Sequence, residues 1–321
     1  MSKVKLTAEK IISFIENGEL AQDVKRKILS DYQVDWYNCS MKAYNLALEK
    51  AKKERKKDEE KSNVSATTNK EIRELLSLNG ILADYALTLP TISMRQDFID
   101  VNLLSKRLPS TESDIIQRIG EITMTPRIRV LQKKGRFEKL DYFKFFSTII
   151  DAALLSYYRS NFISCYLTLI PVIEGIIIRW MGFNKSEEKP DFEKVRKFFV
   201  NSGMRQPCPH NILFHNVYVQ ACNKILNLHF YKPTDTAGNS HNSFNRHIAS
   251  HLLDDDIQAT KENCIRLFIL LDVMTEIFVY ESRTPDPRFN LESKDISSEI
   301  HLLSEMEVTV NKPEVITLGG K

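Results

Sequence analysis

Glycine and proline are scarce, 10 and 11 among 321 residues, which argues against a turn-rich β architecture, since hairpins draw on both. Cys39, Cys165, Cys208, Cys222 and Cys264 are odd in number, widely separated and without a CxxC pair. They do not make the dense disulfide framework of a small secreted domain and read as reduced packing residues. Neither sign of charge dominates: 45 Lys and Arg face 42 Asp and Glu, a formal charge of +3, so net charge does not identify a polyanionic partner. No internal repeat is evident. The opening MSKVKLTAEKIISFIENGEL places charges inside its apolar stretch and has no small-residue cleavage site. It reads against a secretory signal and for a cytoplasmic chain.

Lys, Glu, Leu and Ile are abundant instead, and with few helix breakers they predict an all-α fold. Length suggests two domains. Apolar spacing predicts helices over 7–17 and 20–32, then a charged run over 50–61, KAKKERKKDEEK, whose interspersed acids make it a solvated face. A small polar linker over 62–69 follows. Helical patterns resume over 71–86, 94–106 and 112–122, punctuated by Pro90, Pro109 and Pro126, and Ser110 and Thr111 look like helix-start residues. Two strongly apolar helices are predicted over 142–158 and 162–181, the second with a kink or break at Pro171. Further helices are expected over 191–201 and 259–280. The stretch 163–181 has the length of a membrane span but contains Glu174 and Arg179, so it is read as a buried core helix, with no membrane contact. The expected organisation is an N-terminal helical domain over 1–130, a helical bundle over 137–282 and a tail over 283–321. The VTVNKPEVITL stretch of that tail is β-prone, yet two short runs do not make a sheet.

Six of the seven histidines lie between His210 and His251, and such crowding calls for an explanation. A zinc site could draw on Cys208, His210, His215 and Cys222, but their spacings match no common zinc pattern. The sharper feature is SFNRHIASH, residues 243–251, which holds Arg246-x4-His251 with polar His247 directly after the arginine. Five residues subtend about 140° on a helix, so the two ends share a face only if Arg246 lies on the irregular first turn. Asn242 or Ser243 is the expected N-cap, which would put Arg246 beside backbone donors that favour a phosphate. An arginine fork binds phosphate, and a histidine near neutral pKa moves protons without a metal. The bland alternative is a chance pair of helix-contact residues.

The segment SFNRHIASHLL, then an acidic gap and ATKENCIRLFILLDVM, resembles the C-terminal signature of HEPN-domain proteins, and YLTLIPVIEGIIIRWMG resembles the helix that carries that family's acidic residue. The likeness spans about 137–281. It implies a helical bundle that forms a homodimer with two Arg-x4-His motifs facing one cleft, acting as a metal-independent endoribonuclease without a cofactor. Arg246 and His251 match the catalytic ends, His247 and Asn245 supporting positions, and Glu174 the acid that orients Arg246. Where many relatives carry glycine after the final histidine, this chain has Leu252. The resemblance further implies a toxin or anti-phage defence effector with RNA as substrate, and a regulatory partner protein or phage-derived trigger. The same fold also serves as a non-catalytic dimerisation module.

Overall fold

A computed structural model describes residues 69–90, 93, 95–106, 112–183, 190–200, 212–232, 245–251, 259–282 and 286–310. The expected helices over 7–17 and 20–32, the charged run over 50–61 and residues 62–68 of the linker lie outside these. The described residues form helices and turns, with no strand among them, so the all-α expectation is met. In chain order the helices are α1 (Asn69–Asp84), α2 (Arg95–Lys106), α3 (Glu112–Thr123), α4 (Pro126–Gln132), α5 (Ser147–Tyr158), α6 (Phe162–Trp180), α7 (Phe192–Arg196), α8 (Ile212–Ile225), α9 (Arg246–His251), α10 (Lys261–Glu281) and α11 (Ser293–Val310). Single π-helical turns extend α4 (Lys133–Phe137) and α8 (Leu226–Phe230).

α10 is the axis of the molecule. It starts at Thr260, whose side chain caps the Asn263 N–H, and is buried on all sides from Asn263 to Ile277. A helix apolar all round belongs in the centre, and α3, α6 and α8 pack about it. Burying every face also buries polar positions, and each of those requires a partner. Asp272 forms a two-pronged ion pair with Arg129 of α4, and both are essentially inaccessible. Arg136 binds Glu276 at 2.9 Å and Asp286 at 2.7 Å, and Arg288 binds the same Asp286 at 2.7 Å. Three arginines thus meet three carboxylates, which limits the cost of desolvating them.

Packing crosses the sequence boundary near residue 130: α1 lies along α8, α3 against α10, and one hydrophobic core runs from Leu78 to Leu303. The region treated as a tail contains α11, which packs on α4 and α5 and buries Leu303. Lys133 ties it to the bundle by pairing with Glu299 at 3.0 Å and with Asp151 of α5 at 2.7 Å.

Two expectations need correction. Of the kink or break expected at Pro171, the break does not occur, since α6 runs through that residue; Pro171 faces outward, where the Leu167 carbonyl released by the missing N–H can reach water. The helix expected over 191–201 is only Phe192–Arg196, capped by Asp191, because tight turns then swing Phe198 and Phe199 inward onto Trp180. α6 is long and apolar enough to cross a membrane by length and composition, yet it buries Tyr166, Leu169, Ile173 and Ile176 against protein.

Candidate functional site

α9 begins with a cap built by its own first residues. The Asn245 carbonyl accepts from Ala249 N at 3.0 Å, and its side-chain oxygen accepts from His247 N at 2.8 Å, which makes Asn245 the N-cap. Its amide donates to the Lys232 carbonyl at 2.8 Å, joining α9 to the end of the π-helical turn after α8. Asn245 is 1% exposed. The cap expected at Asn242 or Ser243, residues outside the described ones, is therefore two or three positions too early. The correction matters chemically: the His247 N–H, one of the donors expected to meet a phosphate, is already taken.

Capping at 245 puts Arg246 on the first turn, where its side chain reaches across to α6. Its Nε donates to Glu174 Oε2 at 2.7 Å and its Nη2 to Oε1 at 3.2 Å, a parallel two-bond pair between residues 72 positions apart. The pair is partly open, with 22% of the arginine side chain and 13% of the glutamate side chain exposed. Arg246 Nη1 makes no hydrogen bond among the described residues, so the carboxylate fixes the guanidinium plane while one edge remains available to a further anion. The arginine also lies 5.9 Å from the Phe192 ring centroid, and Phe192 meets Tyr231 edge-on at 5.3 Å. Burial pushes the Tyr231 phenol well above its ordinary pKa; Glu174 adds to that shift and Arg246 opposes it. The Tyr231 hydroxyl is buried without a hydrogen-bond partner among the described residues.

His247 is exposed beside Arg246. His251 is the last residue of α9, five positions and about 7.5 Å along the helix axis from Arg246; its side chain lies outside the described residues. The structure thus brings together Arg246, Glu174 and Asn245, with His247 adjoining. Phe192 and Tyr231 complete the surroundings and carried no sequence signal, since an isolated aromatic reads the same in a core or in a site.

Of the four zinc candidates, Cys208 and His210 lie outside the described residues. His215 and Cys222 both sit on α8: the His215 Nε2 pairs with Glu281 at 2.8 Å, and Cys222 is fully buried in the core. Among the described residues no group of three metal-ligating side chains occurs. No protein-family model, curated protein or solved structure matches this chain.

Proposed function

We propose that the chain is a metal-independent endoribonuclease of HEPN type that cuts RNA at a site shared by two copies. The observation that carries the proposal is the Arg246–Glu174 pair, in which a conformationally fixed guanidinium with an open edge joins the motif helix to α6. In this reading Arg246 binds the scissile phosphate and neutralises the charge that grows on its oxygens in the transition state. His251 takes the proton from the ribose 2′-OH as that oxygen attacks phosphorus. The P–O5′ bond breaks, a proton passes to the departing 5′-oxygen from the partner copy's motif, and the products are a 2′,3′-cyclic phosphate and a 5′-hydroxyl. His247 contacts substrate or the dimer cleft. Asn245 and Glu174 are positioning residues, since their polar atoms already serve the chain itself. A toxin or anti-phage setting in the cytoplasm, with a regulatory partner or phage-derived trigger, rests on the sequence resemblance.

The dimer has a suitable face. On the α5–α6 hairpin, Ile149, Ile163, Leu167 and Pro171 point outward, and on α6 this apolar line ends one turn from Glu174. A stripe of this kind on an otherwise mixed surface marks a contact site, and a second copy seated there would bring the two motifs near each other. The same face favours a second reading, a non-catalytic dimerisation module.

The test incubates purified wild type, Arg246→Ala, His251→Ala and Leu167→Asp with total RNA in EDTA and maps the product ends. Expected are cyclic-phosphate ends from wild type only, rate losses of about 10²- to 10³-fold or more in the two motif variants, and a monomeric, inactive Leu167→Asp. Equal cutting by all four proteins would refute the residue assignment. Dimerisation that depends on Leu167, with no cutting by wild type, would favour the interaction module.

A further inference from the structure

Phe192, the first residue of α7, is 44% exposed, while the two rings behind it are buried. It meets Tyr231 edge to face at 5.3 Å, and Tyr231 meets Phe230 edge to face at 4.8 Å, so three rings descend from the surface to a fully buried phenylalanine. Contacts of this kind fix a ring's orientation as well as covering area. Exposure by itself says little, since single apolar side chains on a surface are ordinary. What sets Phe192 apart is how it is held and what it stands beside.

The ring ladder is tied to both sides of the Arg246–Glu174 pair. Tyr231 directly precedes Lys232, whose carbonyl accepts from the Asn245 amide at the cap of α9. α7 packs on α6, the helix that carries Glu174, and Phe198 and Phe199 just beyond α7 lie against Trp180, the last residue of α6. The Asp191 side chain accepts from Lys194 N at 2.9 Å and so fixes the turn on which Phe192 sits. The elements that position the arginine therefore also position the ring, 5.9 Å from the guanidinium carbon. That is near the outer limit of about 6 Å for cation–π attraction, so Arg246 does not use up the ring.

We infer that Phe192 is a stacking platform for the nucleobase next to the phosphate held by Arg246. Unpaired nucleic acid is bound by this combination, a base laid on an aromatic ring while its backbone meets a cation. Every base has a π face, so the platform accepts any of the four and sets where the backbone lies rather than which sequence is taken. The inference rests on the reading of Arg246 as a phosphate ligand and adds a second point of attachment, which fixes the strand against the motif.

The test uses the full chain and a single-stranded oligouridylate with 2′-fluoro sugars, which lacks the attacking hydroxyl and stays uncut, with 5-iodouracil at every base. Irradiation joins such a base to an aromatic ring stacked on it, and mass spectrometry of the digested protein should place the crosslink on Phe192. Affinity for the same oligomer, read by fluorescence anisotropy, should fall about 5- to 150-fold in Phe192→Ala, the range for one base–aromatic stack. Phe192→Leu, which keeps apolar contact with Tyr231 and so protects the fold, should lose nearly as much, and Phe289→Ala, which removes an almost fully exposed ring elsewhere, should lose nothing. No binding up to about 1 mM, no crosslink at Phe192, or wild-type affinity in both Phe192 variants would overturn the inference. A Phe192 crosslink in a protein that cuts no RNA would remove the nuclease reading and leave the platform, whereas cutting that depends on Arg246 and His251, with no such crosslink, would do the reverse.

Discussion

Arg246 illustrates how much one side chain's role depends on what fixes it. A lone exposed arginine samples many rotamers, but the two bonds to Glu174 hold the guanidinium plane, with Nη1 unbonded among the described residues. Preorganised charge is what an electrostatic catalyst needs, so Glu174→Gln tests the arrangement while sparing the arginine. The amide keeps one acceptor but loses the ionic second bond. We expect an intermediate cleavage defect, about tenfold, smaller than that of Arg246→Ala, with the loss in kcat rather than KM; single-turnover kinetics on a short oligoribonucleotide would measure it. The pairing of Glu174 with Arg246 agrees with the expectation that Glu174 orients that arginine. The cap at Asn245 was not legible in the sequence: Asn242, Ser243 and Asn245 are all good caps, and what distinguishes Asn245 is its bond from His247 N together with its tertiary bond to the Lys232 carbonyl, across a segment with no sequence signal.

At the scale of elements, α5, α6 and α10 were legible because long apolar runs demand burial, whereas α8, α4 and α11 were not. In α8 the apolar pattern is interrupted by His215 and Asn216, which are nonetheless buried, His215 through its pairing with Glu281. In α4 two of the three buried residues, Arg129 and Gln132, are polar, and no periodicity of apolar residues announces a buried arginine. α11 has a weak pattern ending in the β-prone Val308-Thr309-Val310, and it is helical because α4, α5 and two lysines hold it. The junctions between elements are correspondingly tight. A Cβ added at Gly135, in the π-helical turn after α4, meets Arg288 Cγ at 2.5 Å and its Cα at 2.9 Å, so backbone must move. Gly135→Ala is expected to cost about 1–3 kcal/mol, measurable as a lower urea midpoint, despite alanine's better helix propensity.

For the whole molecule, the buried arginine–carboxylate network links α4, α10 and the turn at Pro287–Asn290, and it gives folding a pH dependence. Burial pushes the Asp286 carboxyl up, but hydrogen bonds from Arg136 and Arg288 outweigh that and bring it down to about 2. A native pKa below the unfolded value of about 3.9 means the contribution is fully present above about pH 4 and disappears as pH falls through 2. Urea midpoints between pH 6 and 2 should therefore fall with acid. Asp286→Asn should be less stable than wild type at pH 6 and approach it near pH 2; parallel curves would show that Asp286 is not the linked group. The helix on which the others close, α10, begins only at Lys261, and this orders events during synthesis. While the ribosome is still making α10, α3, α6 and α8 have emerged with the faces meant for it uncovered, and the nascent chain depends on helpers or speed to avoid clumping. Arg246 and Glu174 are both synthesised before that point, yet the bundle that sets α6 in place closes after it, so any activity of the pair awaits the completed core.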